Sequence, residues 1–173
     1  MMTRTSLIVL AVALLAQCVL APGLSLFGIV PNIVLVILLV MALRDTSSFF
    51  FVAAFLAGLL LDCMGSGPLG AYALLCMLGT SIAKRLLILI DNGTLFMSLL
   101  VVALSIVFVE LSYALILAGT GMLGDILGAL VFFALPASIY NCALASIALP
   151  LAHKFLSPVQ TPGSDALPRV QLR

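Results

Sequence analysis

Three acidic side chains within or beside long apolar runs are the first candidates for chemistry in this sequence of 173 residues. Asp62 closes one apolar run, Glu110 lies inside another, and Asp125 directly precedes a third. An ionisable group in lipid is costly, so a residue of this type at such a position is a functional candidate. The roles open to these carboxylates are contact with a partner, ion binding, catalysis and structural hydrogen bonding.

Each carboxylate also has a purely structural interpretation. Asp62 is expected to accept hydrogen bonds from the backbone of the turn at 65–67, and Asp125 is expected to cap the helix that follows it. Glu110 is expected to be protonated or hydrogen-bonded as a link between helices, because desolvation disfavours an isolated charged carboxylate. Its expected partners are Ser105, Ser112, Tyr113 or Tyr140.

Motifs for catalysis and for cofactor binding are missing from the sequence. The single histidine, His153, has no Ser or Cys motif to pair with, and neither a His-Glu-x-x-His zinc motif nor a Gly-rich phosphate loop occurs. The four cysteines are far apart and lack the spacing of a metal site. We therefore predict that the protein is not an enzyme and binds no metal or cofactor.

The composition defines the elements that must position these residues. Apolar residues make up 65% of the chain and charged residues 8%, against about 45–50% and about 25% in a soluble domain. A net charge of +1 excludes a nucleic-acid binder, which needs cations to neutralise phosphates. Long unbroken apolar runs are typical of membrane helices and not of the alternating strands of a membrane barrel. The predicted fold class is all-α and polytopic.

Six apolar runs lie between the polar breaks, and each predicts a helix. They are 7–26, 32–43, 49–62, 69–90, 95–118 and 126–151, with a kink expected at Pro136 in the last. A spanning helix needs about 20 residues, so the short second and third runs either have flanking turns inside the bilayer or form a re-entrant hairpin. We predict a six-helix transmembrane domain over 1–156 and a disordered cytoplasmic tail over 157–173.

The basic residues predict the orientation of the helices. If the N-terminus is cytoplasmic, all seven Lys and Arg residues fall on the cytoplasmic side of a six-span protein. They are Arg4, Arg44, Lys84, Arg85, Lys154, Arg169 and Arg173. Because Lys and Arg concentrate in cytoplasmic loops, both termini are predicted to be cytoplasmic.

Small residues on the third run predict a close approach of another helix. Ala53 and Ala57, and likewise Ala54 and Gly58, are spaced one turn apart, which lets helix backbones approach closely in lipid. This face ends at Asp62 and is followed by a turn that contains Gly65, Gly67 and Gly70. We expect the segment 58–70 to be the functional centre, with Gly58 facing lipid or a docked partner.

The stretch 31–74 carries a family resemblance. It contains Pro31-Asn32 at the head of an apolar helix, Gly58-Leu59-Leu60-Leu61-Asp62 at the end of the next, and Gly65 and Gly70 in the following turn. Together with the length and the number of apolar runs, this pattern resembles the family of the rod shape-determining protein MreD. The resemblance covers the whole chain in layout, whereas the last two runs contribute no matching motif.

The resemblance implies a non-catalytic scaffold in the bacterial inner membrane, within the elongation machinery that carries out peptidoglycan synthesis. Its implied partners are a bitopic MreC-like protein and, indirectly, an MreB-like filament and a RodA-type glycosyltransferase with its transpeptidase. The family is also similar in fold to the substrate-binding subunits of energy-coupling-factor transporters.

That similarity leaves open a second function, a small-molecule-binding membrane subunit of a vitamin-type transporter. Such a subunit is expected to have an outward-facing cavity with convergent polar groups. The candidates for these groups are Asn32, Asp62, Glu110, Asp125, Tyr113 and Asn141.

Overall fold

The computed structural model describes residues 4–26, 28–45, 47–90 and 94–155. This part of the chain forms six helices, together with one short 3-10 turn and one isolated β-bridge between Leu26 and Ile29. The helices are α1 (Arg4–Val19), α2 (Ile33–Ala42), α3 (Phe49–Met64), α4 (Ala71–Ile90), α5 (Leu95–Gly119) and α6 (Ile126–Phe155). The predicted all-α class is confirmed, and the predicted tail at 157–173 lies outside the described residues.

The six helices differ in length. Within the described residues, α4, α5 and α6 are long and apolar enough to cross a membrane, at 20, 25 and 30 residues. Helices α1 and α3 have 16 residues each and α2 has 10. At about 1.5 Å per residue, α2 covers about 15 Å, roughly half of a hydrocarbon core of about 30 Å. The number of helices, six, therefore does not by itself give the number of membrane spans.

Helix α2 lies at the centre of the bundle because it is apolar on every side. Eight of its ten residues are buried, as expected of a helix without a polar face. Leu35 and Leu39 belong to a core cluster with residues of α4, α5 and α6. Val34 and Leu38 belong to a second cluster with residues of α1 and α3. The shortest helix thus joins the two parts of the core.

The small-residue face of α3 packs against α4 of the same chain. A Cβ atom at Gly58 would lie 2.6 Å from Cα of Ala73 and 2.6 Å from the carbonyl oxygen of Tyr72. Ala54, Ala57 and Gly58 are all buried. The expectation that Gly58 faces lipid or a partner is therefore wrong. The spacing did predict a close helix approach, and the helix that approaches is the next one in the sequence.

Helix α6 contains a π-helical turn at Ala129–Ala134, directly before Pro136. Proline has no N–H to donate to the carbonyl group four residues earlier, and its ring clashes with that carbonyl. A wider turn ahead of the proline relieves this clash, and such turns are an established cause of helix bending. The sequence predicted a kink at Pro136, and the feature that the structure shows beside it is this π-helical turn.

The Lys and Arg residues that the structure describes lie at one end of the bundle, which we call the basic end. This is the end where α1, α3 and α5 begin and where α2, α4 and α6 end. At this basic end, Ser6 donates to a carboxylate oxygen of Asp45 at 2.7 Å. Lys84 donates to the carbonyl of Ser47 at 3.3 Å and lies over the ring of Phe51 at 4.7 Å. Arg169 and Arg173 lie outside the described residues.

The contact between α3 and α4 gives a stability prediction. Gly58→Ala should lower the free energy of unfolding by about 1–3 kcal/mol, because the added methyl group meets backbone atoms that cannot rotate away. The control is Gly119→Ala, since a Cβ atom there meets nothing within 4 Å. Thermal melting of both variants in detergent measures the difference, and equal melting temperatures would contradict the close packing at Gly58.

Candidate functional site

A cavity of about 540 Å³ opens at the end of the bundle opposite the basic end. Its walls come from α1, α3, α4, α5 and α6, from the residue that caps α2 and from the turns that connect helices at this end. Six polar side chains line it among many apolar ones, and they are Gln17, Asn32, Ser66, Tyr72, Glu110 and Tyr113. We refer to this space as the polar cavity.

The floor of the polar cavity is built around the first turn of α2. The first N–H groups of any helix have no partner within the helix, and α2 begins inside the bundle where Asn32 is buried. Gln17 accepts hydrogen bonds from the N–H of Ile33 at 2.7 Å and of Val34 at 3.4 Å. Asn32 caps the helix by accepting from the N–H of Leu35 at 2.9 Å. Side chains therefore satisfy the buried start of α2.

Pro31 lies directly before the cap of α2 and is bound by the same glutamine. The sequence predicts that Pro31 and Asn32 open the second helix, and the structure begins that helix one residue later, with Asn32 as the cap. The carbonyl of Pro31 accepts a hydrogen bond from Nε2 of Gln17 at 3.1 Å. The same amide of α1 thus holds both the residue before the cap and the first turn after it.

Asn141 connects the start of α2 to Glu110. Its Oδ1 accepts from the backbone N–H of Asn32 at 2.8 Å, and its Nδ2 donates to Oε1 of Glu110 at 2.8 Å. The hydroxyl of Tyr72 donates to Oε2 of Glu110 at 3.4 Å. Glu110 was expected to link helices, and it does so, but the expected partners are wrong. Its partners are Tyr72 of α4 and Asn141 of α6, so Glu110 links α5 to both of these helices.

Asp62 caps the start of α4. Its Oδ2 accepts from the N–H of Gly70 at 2.9 Å and of Ala73 at 3.1 Å, and its Oδ1 accepts from the N–H of Tyr72 at 3.1 Å. The expected hydrogen bonds to the turn at 65–67 are therefore wrong. The acceptor was identified correctly, whereas the donors lie eight to eleven residues further along the chain.

Glycines allow the turn between α3 and α4 to form the cavity rim. Gly70 has a φ of +92°, which L-residues with a side chain rarely adopt. A side chain at Gly67 would collide with the hydroxyl of Tyr113. The ring of Tyr113 in turn lies 4.0 Å from that of Tyr72, measured between centroids. Gly65 and Gly67 line the cavity, so this turn and the two tyrosines form one wall.

Asp125 is separate from this site. Its Oδ2 accepts from the N–H of Gly128 at 2.8 Å, so the predicted cap on the last helix is confirmed. Asp125 is exposed and does not line the polar cavity. Among the described residues, no group of three His, Cys, Asp or Glu side chains could hold a metal ion.

Of the predicted site residues, Asn32, Gly65 and Glu110 line the cavity, Asp62 and Gly70 support its wall, and Gly58 lies in the helix interface below. Sequence reasoning missed Gln17 as a member of this site. The available signal was an uncharged amide within an apolar helix, because such a group must find a hydrogen-bond partner in lipid.

These observations define a class: an all-helical membrane protein whose buried polar groups converge on a cavity at one end of the bundle. A family model of the rod shape-determining protein MreD matches residues 2–159. The chain therefore belongs to the MreD family, which gives it a role in rod-shape determination. The family is one of shape-determining membrane proteins and not a known enzyme family.

No curated protein and no solved structure matches the chain. The expected similarity in fold to the substrate-binding subunits of energy-coupling-factor transporters therefore stays a prediction.

The cap at Asp62 gives a second prediction. Asp62→Asn should destabilise the protein by about 1–3 kcal/mol, because both carboxylate oxygens accept from N–H groups and an amide places its own donor against one of them. Asp125→Asn is the matched control, since only one oxygen is used there and Asn caps helices as well as Asp. Melting in detergent should separate the two variants. Equal stability would mean that the cap on α4 contributes little.

Proposed function

We propose that the protein is a non-catalytic scaffold of the elongation machinery and that the polar cavity is where it binds its partner. The supporting observation is that the cavity collects three residues singled out by the sequence, Asn32, Gly65 and Glu110, at one end of the bundle. The proposed location is the bacterial inner membrane, with several spans and with both termini in the cytoplasm.

The charge distribution supports this orientation. The described Lys and Arg residues lie at the basic end, and Lys and Arg concentrate on the cytoplasmic side of membrane proteins. The polar cavity is at the opposite end, so in this orientation it opens towards the periplasm. A ligand of the cavity would then come from the periplasm or from the membrane boundary.

Orientation can be tested with alkaline phosphatase, which is active only after export. A fusion after Lys154 should be inactive, whereas an insertion in the turn at 65–68, which borders the cavity, should be active. Green fluorescent protein at the same positions is the reciprocal control, because it should fluoresce only at Lys154. The inverse pattern would overturn the proposed orientation and would turn the cavity to the cytoplasm.

The size and position of the cavity favour a short segment of a bitopic protein as the ligand. A volume of about 540 Å³ is in the range of small-ligand pockets and holds a few side chains, not a folded domain. A bitopic protein leaves the bilayer at the level where this cavity opens, so its juxtamembrane segment can reach the rim. We propose this segment of an MreC-like partner as the ligand. The MreB-like filament and the RodA-type glycosyltransferase with its transpeptidase would be connected through that partner.

A rim substitution tests partner binding. Ser66→Trp should reduce recovery of the MreC-like partner with the tagged protein by about tenfold or more, because a large side chain at the rim would block entry to a site of this size. Leu69→Trp is the matched control, since Leu69 is exposed on the same turn and does not line the cavity. Both variants are purified from membranes in mild detergent, and partner recovery is normalised to protein abundance.

Equal recovery of the partner with both variants would place the interface elsewhere. The small-molecule-binding function would then be the better explanation of the cavity, and native mass spectrometry of the purified wild-type protein should detect a bound small molecule.

A further inference from the structure

Glu110 is the carboxyl group among the residues that line the polar cavity. It is 1% exposed and lies about 22 Å along α5 from the start of that helix at Leu95, at about 1.5 Å per residue. Within the described part of the chain, its hydrogen-bond partners are two neutral groups, the amide of Asn141 and the hydroxyl of Tyr72. A buried charge without an opposite charge is costly, so charged groups inside membrane proteins usually pair with one another.

The two neutral partners fix the role of the carboxyl group as an acceptor. Asn141 uses its Oδ1 for the N–H of Asn32, so its Nδ2 must face Glu110. Tyr72 donates to the other oxygen of Glu110 at 3.4 Å, which is long for an O–H···O bond of about 2.7–2.8 Å. Both oxygens of Glu110 therefore accept, and the oxygen that faces Tyr72 has capacity for a stronger donor.

No cation of the described chain is positioned to be that donor. Arg4, Arg44, Lys84, Arg85 and Lys154 lie at the basic end, at the other end of the helices, and the residues that line the polar cavity include no Lys, Arg or His. The rings of Tyr72 and Tyr113, whose planes are inclined at 39° to each other, line the same cavity as Glu110. A carboxylate next to aromatic rings is a favourable environment for an ammonium or guanidinium group.

We propose that the polar cavity recognises a cationic group, an alkylammonium or a guanidinium, with Glu110 as its counter-ion and Tyr72 and Tyr113 as its aromatic wall. This inference rests on the proposed function, in which the group is a Lys or Arg side chain of the partner's juxtamembrane segment. A free organic amine has the same chemistry and is the other source that the experiment must distinguish.

The test uses Glu110→Gln in the full-length protein, because this change keeps the shape and removes the charge. Partner recovery should fall by about tenfold or more, the range of a lost charge-assisted hydrogen bond. The melting temperature of the variant without partner should stay equal or rise, since a neutral amide is easier to bury than a carboxylate and, unlike the backbone N–H donors at Asp62, the hydroxyl of Tyr72 can turn to accept from the new amide. Replacing each Lys and Arg of the partner's juxtamembrane segment by Gln should identify one position that causes the same loss and that adds no further loss to Glu110→Gln.

The outcomes separate the two proposals. If Ser66→Trp releases the partner and Glu110→Gln does not, the partner binds at the cavity without a cation, and the cation site is overturned while the proposed function stands. If neither variant releases the partner, the proposed function fails. The cation site is then tested alone, by measuring whether n-butylammonium chloride or agmatine raises the melting temperature of the purified protein. Stabilisation of the wild type and not of Glu110→Gln would support the site with a free amine as its ligand, and no shift in either protein would overturn it.

Discussion

The structure depends on satisfying the backbone N–H groups of two helices that begin inside the protein. In an apolar environment an unpaired backbone N–H costs several kcal/mol. Helix α2 begins about 15 Å from the basic end, where Asn32 is buried, and α4 begins beneath the cavity rim. Gln17, Asn32 and Asn141 accept from the first turn of α2, and Asp62 accepts from the first turn of α4. Residues at these two helix starts, namely Gln17, Asn32 and Tyr72, line the polar cavity.

The same side chains join all six helices at this end. Gln17 of α1 hydrogen-bonds to the first turn of α2. Asn141 of α6 hydrogen-bonds both to the cap residue of α2 and to Glu110 of α5. Tyr72 of α4 also donates to Glu110. Asp62 extends the link to α3 through the backbone of α4. In a low-dielectric interior the members of such a network depend on one another, and removal of one leaves its partners unsatisfied. The cavity floor is therefore fixed, whereas the rim consists of connecting turns such as the one that bears Ser66.

The sequence predicted those parts of this arrangement that are local. The long apolar runs predicted α4, α5 and α6, because such runs form helices in any tertiary context, and the cap at Asp125 needed a donor only three residues away. The partners of Asp62 and Glu110 were not predictable in the same way. They depend on where α4 begins and on how α4, α5 and α6 are rotated about their axes, which apolar sequences do not encode by periodicity. The spacing of Ala54 and Gly58 likewise predicted close packing but not whether the neighbour belonged to this chain.

Because the floor residues are held by the helix starts, the cavity is organised before any ligand arrives. Asn141 cannot turn away from Glu110 without leaving the N–H of Asn32 unpaired, so a ligand does not have to order these groups and loses less entropy on binding. The same coupling means that the groups which position Glu110 and the cavity floor are also the groups which allow α2 to start where it does. Substitution of Asn141 or Gln17 would therefore change folding and binding together. Glu110 differs from them, because it accepts from side chains and from no backbone N–H, so its charge can be removed while the helix starts remain intact.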